Sequence, residues 1–453
     1  MTESARIASG VRDGTVTADL VVTGIGQLCT IHEPELDDQE NAGPRRRSGM
    51  EELGLLENAA LAVGEGRILA CGPEQEVLSA LYGGAEIPAG VKIVDAAGRA
   101  VIPGFVDPHT HTVFGRTRQD EYERRIRGET YLEIAAAGGG IHASVADLRE
   151  RSEEELVELA TGRLREMLAW GTTTVEIKSG YGLSLDSEVK MLNVAATAAE
   201  AVGIRSVRTC LAAHEVPAEF RDRRQDYVRL VTEEILPHVA REGLAERCDV
   251  FCEPSVFGLE ESLIILTRAR DLGLSLTVHA DELEPMGGAV LAARLGADSA
   301  DHLIMIDGLG REALAGSSTV AVMLPGTVFT LGLDRYAPGR GMIDQGCALA
   351  LASDFNPGSC PILSMPLIMA IACTQMRLTP AESLVGATLN AAWALGKAAE
   401  VGSLAPGKMA DFSILDGPDY RLVPYRAGHN PVASVFLAGQ EINPKPTPTI
   451  SDD

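Results

Sequence analysis

Apolar positions along the chain change their period several times, and each change predicts a new element. Residues 18–31 contain the run Leu20-Val21-Val22-Thr23-Gly24-Ile25, a β-type stretch. Residues 59–71 divide around Gly64-Glu65-Gly66, a hairpin signal. Residues 91–102 continue in strands, so residues 1–100 predict a small β-rich module. Beyond Pro108 the period lengthens. Ser152 with Glu155 forms a capping box, and Leu156, Leu159, Leu164, Met167 and Leu168 mark one helical face that stops at Gly171. A β-branched strand follows at 172–177. Helices at 186–202, 223–241, 258–272 and 285–295 then alternate with strands at 206–212, 248–252, 274–279 and 298–303. A short helix precedes a strand at 319–324, and the last strand is 348–353. With the buried end marked by Ile102, Phe105 and Val106, the strands number eight. That alternation predicts an α/β fold with a (β/α)8 TIM-like barrel over 101–395. From Pro361 the chain is helical to about residue 399, and residues 401–415 and 431–442 return to β structure. The barrel is therefore expected to be inserted in a small β-sandwich domain built from both chain ends, 1–100 and 396–453. Residues 34–53 are rich in acid, Gly and Pro and include Arg45-Arg46-Arg47, which predicts a solvated, mobile loop.

Composition narrows the function classes. Hydrophobic residues make up 45% of the 453 positions, enough for a sizeable core. The formal net charge of −25 argues against nucleic acid or an anionic membrane as partner. A small anionic substrate is still allowed, because a local field can oppose the global one. No apolar run is long enough to span a bilayer. The start, Met1-Thr2-Glu3-Ser4-Ala5-Arg6, lacks the basic-then-apolar pattern of a secretion signal. The 8 cysteines are scattered, which predicts reduced thiols in a cytoplasmic protein.

In a (β/α)8 barrel the chemistry sits at the C-terminal strand ends. Strand one is followed by His109 and His111, two residues apart and able to face the same way on an extended backbone. Strand two ends in Glu176-Ile177-Lys178-Ser179-Gly180-Tyr181-Gly182, and strand three in His214-Glu215. Strands four, five and six end in Glu253, in His279-Ala280-Asp281-Glu282 and in Asp301-His302. Strand eight ends in Ser353-Asp354-Phe355-Asn356-Pro357-Gly358-Ser359. Five of the 9 histidines thus fall at predicted tips, and His142 lies on the long loop after strand one. His109, His111, His279 and Asp354 can meet around one ion, and three nitrogens with one carboxylate oxygen suit Zn2+ or Fe2+. Such an ion lowers the pKa of a bound water and polarises a carbonyl, while Asp354 can accept the water's proton. The predicted chemistry is hydrolysis of an amide-like or amidine-like bond.

These positions resemble the amidohydrolase superfamily through residues 103–111, His279, His302, Asp354 and the tail 402–416. A closer resemblance, to the imidazolonepropionase family, rests on longer stretches: 103–115, 131–141, 171–182, 279–282 and 353–366. It covers nearly the whole chain except the first fifteen residues and 33–53. The resemblance implies hydrolysis of 4-imidazolone-5-propanoate to N-formimino-L-glutamate in histidine degradation. It implies one ion, Zn2+ or Fe2+/Fe3+, on His109, His111, His279 and Asp354, in a cytoplasmic homodimer. It places Arg118, Tyr181 and His214 on the substrate, with Arg118 chemically apt for a carboxylate. Glu282 is implied in substrate binding and proton transfer, and His302 near the attacking water. Asn356, Gly358 and Ser359 match a loop that grips the ligand's carboxylate; Ser359 stands where the family often has Thr, and the hydroxyl is kept. Other readings stay open. Lys178 could be a carboxylated lysine bridging two metals, although the lysine of that kind follows strand four. Glu253, His279 and His302 could hold a second ion, and Arg118 could simply pair with Asp120 or Glu121 at the surface. The same metal chemistry would also serve another cyclic amidase or an aminated-ring deaminase. A non-catalytic scaffold would need missing ligands, and none is missing.

Overall fold

The computed structural model describes residues 6–8, 17–32, 42–129, 133–134 and 137–442. Eight strands follow one another around a single parallel sheet: Phe105–Asp107, Thr172–Lys178, Arg205–Ala213, Arg247–Cys252, Ser275–Ala280, Ser299–His302, Val320–Met323 and Leu349–Leu351. They are the eight barrel strands that the hydrophobic runs predict. Most of their residues are buried on both faces, as helices outside and packed side chains inside require. Strands one and eight meet just beyond their ends. There the Asp354 amide donates to the His109 carbonyl at 3.1 Å, and the His111 amide donates to the Phe355 carbonyl at 2.8 Å. The barrel therefore closes on the stretches that carry the candidate ligands.

The helices form for reasons visible along the chain. Glu153–Ala169 starts with the reciprocal cap, Glu155 N to Ser152 Oγ at 3.2 Å and Ser152 N to Glu155 Oε2 at 3.0 Å. The stretch expected as one helix across Pro237 is helical throughout, but Leu230–Ile235 widens into a π-turn. That widening puts Pro237 in the first turn of Leu236–Arg241, where its missing N–H costs nothing. The helix expected from residue 285 begins later, at Gly288–Leu295. Asp281 takes the amides of Gly287, Gly288 and Ala289, and so sets the start. Among the described residues the sequence reading passed over Glu74–Tyr82 in the β module, Gln119–Ile126 and Ile141–Glu150 after strand one, Pro325–Leu331 and Gly339–Gln345 between strands seven and eight, and the short Leu422–Tyr425.

Strands from both ends of the chain build one nine-stranded sheet. Its N-terminal part includes Leu20–Cys29, Leu55–Gly64 and Arg67–Pro73. Its C-terminal part is Phe412–Leu415, Val432–Leu437 and Gln440–Ile442. Ala100–Pro103 pairs antiparallel with Phe412–Leu415 and so joins the two parts. Only Gly104 separates Ala100–Pro103 from the first barrel strand. A Cβ at Gly104 would lie 2.2 Å from Thr173 Oγ1, so only glycine fits the handover. Among the described residues no helix is long and apolar enough to cross a membrane. All eight cysteines are unpaired.

The solvated loop expected at 34–53 needs correction where it is described; residues 33–41 lie outside the described residues. Arg45 is buried, with its amide on Asn390 Oδ1 at 2.7 Å. Arg46 reaches across to the barrel and donates to the carbonyls of Ala315 (3.2 Å), Gly346 (2.7 Å) and Ser317 (2.7 Å). These are carbonyls that the helix ends Gly308–Ala315 and Gly339–Gln345 leave without internal partners. The arginine run is thus an attachment, which composition alone disguises as a charged surface. Arg46→Ala is expected to lower unfolding stability by about 1–3 kcal/mol. Arg47→Ala, which loses one long hydrogen bond at the surface, should stay within about 0.5 kcal/mol in urea titrations.

Candidate active site

His109 and His111 leave strand one on the same side, with ring centroids 5.3 Å apart. His279, at the end of strand five, brings its ring to 4.4 Å from His109. Ligand atoms of His109, His111 and His279 all lie within 4.8 Å of one another, and so do those of His109, His302 and Asp354. Asp354 Oδ1 is 3.6 Å from Nε2 of both His109 and His111. Thr327 donates to the other oxygen of Asp354. Three tip residues hold left-handed backbone, Asp281 (φ 49°), His302 (φ 73°) and Asp354 (φ 55°). Such conformations cost about 1–3 kcal/mol each and tend to gather where side chains must be aimed.

Two of the three histidines, His109 and His279, are backed by a carboxylate. His109 Nδ1 meets Asp301 Oδ2 at 2.6 Å, and His279 Nδ1 lies 2.8 Å from Asp249 Oδ2. With Nδ1 so occupied, Nε2 is the nitrogen left to face the centre. His109 Nε2 is buried and has no hydrogen-bond partner among the described residues. That is the pattern expected of a nitrogen built to meet a cation. Burial, reinforced by nearby cationic groups, holds His109, His111 and His302 well below the usual imidazole pKa. They are therefore neutral, the form that binds a metal, whereas Asp249 outweighs burial and holds His279 above the usual imidazole value, so His279 must give up a proton to bind one. Burial pushes Asp354 up to about 6, against the hydrogen bond from Thr327. Burial, and then Asp354, push Glu282 up to about 8. Glu282 Oε2 stands 3.5 Å from His302 Nε2.

A second group of residues flanks this cluster. His214 stacks on His111, with centroids 5.0 Å apart, and Tyr181 lies 5.4 Å from His214. Gly180 (φ 111°) makes room for them, since a Cβ there would sit 2.9 Å from His214 Nδ1. Arg118 and Asp354 are both near enough to act on the buried Tyr181 hydroxyl. The pairing of Arg118 with Glu121 considered above is present, but it is largely buried and not at the surface. The Arg118 side chain is 11% exposed, bonds Glu121 at 2.5 Å and lies over Gly358, where a Cβ would come within 2.3 Å of Nη1. Asn356 folds its own loop: Oδ1 accepts from Gly358 N (2.8 Å) and Ser359 N (2.7 Å), and Nδ2 donates to Asp354 O (2.7 Å) and Ser359 Oγ (2.8 Å). The two amides that the family resemblance assigns to a ligand are thus held by Asn356 in this structure. His142 sits on Ile141–Glu150, outside the histidine cluster.

Two alternatives fall on geometry. Lys178 is ion-paired to Glu176 Oε1 at 2.8 Å and Asp249 Oδ2 at 2.9 Å, which is a role for an ammonium and not for a bridging carbamate. Glu253 accepts the amides of Glu282, Leu283 and Glu284, so its oxygens are committed to the turn and no second ion is framed by it. Sequence reasoning named Asp301 at the tip of strand six without giving it a role, and missed Asp249, Thr327 and Arg125, whose Nη1 donates to Gly358 O at 2.9 Å. Asp249, a single acid inside the apolar strand Arg247–Cys252, was the readable signal. Thr327 and Arg125 had none.

The chain matches the Amidohydrolase family over residues 100–442. The imidazolonepropionase of Symbiobacterium thermophilum is 49% identical over 425 residues, 94% of this chain and 97% of that protein. The chain belongs to the imidazolonepropionase family. A second imidazolonepropionase, from Geobacillus kaustophilus, is 44% identical over 89% of this chain and 94% of its own length. Among solved structures, a zinc-bound adenosine deaminase from Xanthomonas campestris aligns with a TM-score of 0.68 at 20% identity, over 94% of this chain and 93% of its own. An E. coli guanine deaminase reaches 0.69 at 16%, over 93% and 99%. At that identity they attest the barrel fold of this imidazolonepropionase-family chain and nothing finer.

The titrations have a signed consequence for the metal-free protein. Glu282 and Asp354 bind protons more tightly folded than unfolded, so their contribution falls as pH rises toward about 8. The depressed histidines act oppositely and cost stability as pH drops below about 6.5. Metal-free protein should thus be more stable at about pH 6.5 than at about pH 8. Glu282→Gln should shrink that difference; urea midpoints that fall equally in both proteins would show that Glu282 does not carry it.

Proposed function

We propose that this chain hydrolyses 4-imidazolone-5-propanoate to N-formimino-L-glutamate, as an imidazolonepropionase of histidine degradation. The observation that carries the substrate is near-full-length identity to curated imidazolonepropionases. Water adds to the ring carbonyl carbon, and the bond from that carbon to the ring nitrogen breaks. The carbon becomes the new carboxylate of the glutamate, and the freed nitrogen stays on the formimino group with one added proton.

His109, His111 and His279, through Nε2 where Nδ1 is backed by a carboxylate, would hold one divalent ion with Asp354. We take that ion to be Zn2+ or Fe2+, because a three-nitrogen, one-oxygen set suits both. Bound there, it supplies a water of near-neutral pKa and polarises the substrate carbonyl. Asp354 would take the proton of the attacking water. Glu282, pushed up to about 8 by burial and Asp354 in the metal-free protein, would give a proton to the departing ring nitrogen. His302 stands beside Glu282 and steadies it.

The substrate's remaining groups find chemically matched partners. Burial, and then His279, push His214 down to about 3, so it is neutral. Its Nδ1 lies 3.0 Å from the Gly180 carbonyl and so carries the hydrogen, leaving Nε2 to accept from a ring N–H. Tyr181 packs beside it. Arg118 is offered to the propanoate carboxylate, near the loop of Asn356, Gly358 and Ser359. Arg118 and Arg125 over that loop favour an anionic substrate above the neutral ring of a deaminase substrate. We also expect a cytoplasmic homodimer, which sedimentation of the purified protein checks.

The deciding assay uses freshly prepared imidazolone propanoate and follows loss of its ultraviolet absorbance with appearance of formiminoglutamate. Chelation should abolish turnover, and either ion should restore it; no turnover by metal-loaded protein sinks the assignment. Arg118→Ala should raise KM at least about tenfold, a charge-assisted bidentate pair being worth roughly 1.5–3 kcal/mol. Metal content should be unchanged, and loss of metal in that variant would give Arg118 a different role.

A further inference from the structure

One buried cation joins the supports of all three histidines. Lys178 is fully buried at the end of strand two, with side-chain exposure of 0%. Its Nζ is 2.9 Å from Asp249 Oδ2, the same oxygen that faces His279 Nδ1 at 2.8 Å. It is 3.9 Å from Asp301 Oδ2, the same oxygen that bonds His109 Nδ1 at 2.6 Å. Its third neighbour, Glu176 Oε1, lies at 2.8 Å, and the other oxygen of Glu176 accepts the amide of Thr110 at 3.2 Å. Thr110 is the residue between His109 and His111. Glu176, Asp249 and Asp301 stand on three different strands, and the Lys178 ammonium lies within 3.9 Å of all three.

We propose that Lys178 is the positioning residue of the metal centre: its ammonium ties three carboxylates together and through them orients His109, His111 and His279. The physical argument is charge spacing. Three buried carboxylates around one axis repel each other and would splay or take up protons without a cation between them. Either response frees the Nδ1 sides of two imidazoles, which then turn or change tautomer. Lys178 would not touch the ion. Its effect passes through Asp249 and Asp301, and through the backbone at Thr110. The inference rests on the metal reading given above.

The test measures Co2+ affinity by competition with a chromogenic chelator, together with the visible absorption band of the bound Co2+. Lys178→Met should raise the Co2+ dissociation constant about 10–100-fold, the usual scale for lost outer support. It should also shift the band, since the ligand geometry relaxes. Asp249→Asn should weaken binding similarly. In the double variant the two losses should not multiply, because both act along one path. Lys178→Met strands three buried carboxylates and could fail to fold. Lys178→Met with Glu176→Gln keeps the cluster's net charge, and it should show the same loss of affinity and the same band shift. Wild-type affinity and an unshifted band in folded variants would falsify the role of Lys178 alone. Wild-type protein that takes up no Co2+ overturns the metal reading instead, and this inference with it.

Discussion

The barrel's closure is the constraint from which the rest follows. Strands one and eight are short, three residues each, and they join through Asp354 N to His109 O and His111 N to Phe355 O. Those bonds are made by the residues whose side chains form the centre of the site. Backbone closure and ligand placement are thus one event. It needs Asp354 in left-handed backbone, a conformation that a non-glycine residue keeps only when its surroundings hold it there. Here the surroundings are the Thr327 hydroxyl on its side chain and the Asn356 amide on its carbonyl.

Burial then sets the protonation states. Taken out of water, His109, His111, His214 and His302 go neutral and Glu282 holds a proton, each to avoid an uncompensated charge. Lys178 and His279 are the exceptions: against burial, the surrounding carboxylates keep Lys178 charged, and Asp249 holds His279 above the usual imidazole value. The result is a graded arrangement. Ionised groups lie beneath the cluster, neutral nitrogens line it, and Glu282 keeps a proton at its mouth. A site of that kind can receive a divalent cation and a proton-demanding leaving group without rearranging its own charges.

Much of this was legible in the chain. The eight strands announced themselves because a strand buried on both faces must be an apolar run. The tips announced themselves because His, Asp and Glu directly after such runs have little other reason to be there. His109, His111, His279 and Asp354 were readable on those grounds, and the finer pattern around Arg118, Tyr181 and Glu282 came with the family resemblance. The loop 34–53 was misread because composition reports charge and not contacts. Arg46 is as polar as any surface arginine, yet its guanidinium is docked on helix-end carbonyls more than 250 positions away in sequence.

By itself the sequence determined the order and type of the elements, the barrel, and the identity of the groups at its open end. These depend on local period and on residue chemistry, which are written in neighbouring positions. Only the tertiary structure decided which nitrogen of His109 and of His279 faces inward, that Asn356 folds its own loop, and that Lys178 lies under the site among Glu176, Asp249 and Asp301. The reason is distance along the chain. Each of those facts is a contact between different strands or loops, and parallel strands bring side chains together in ways that no local pattern records.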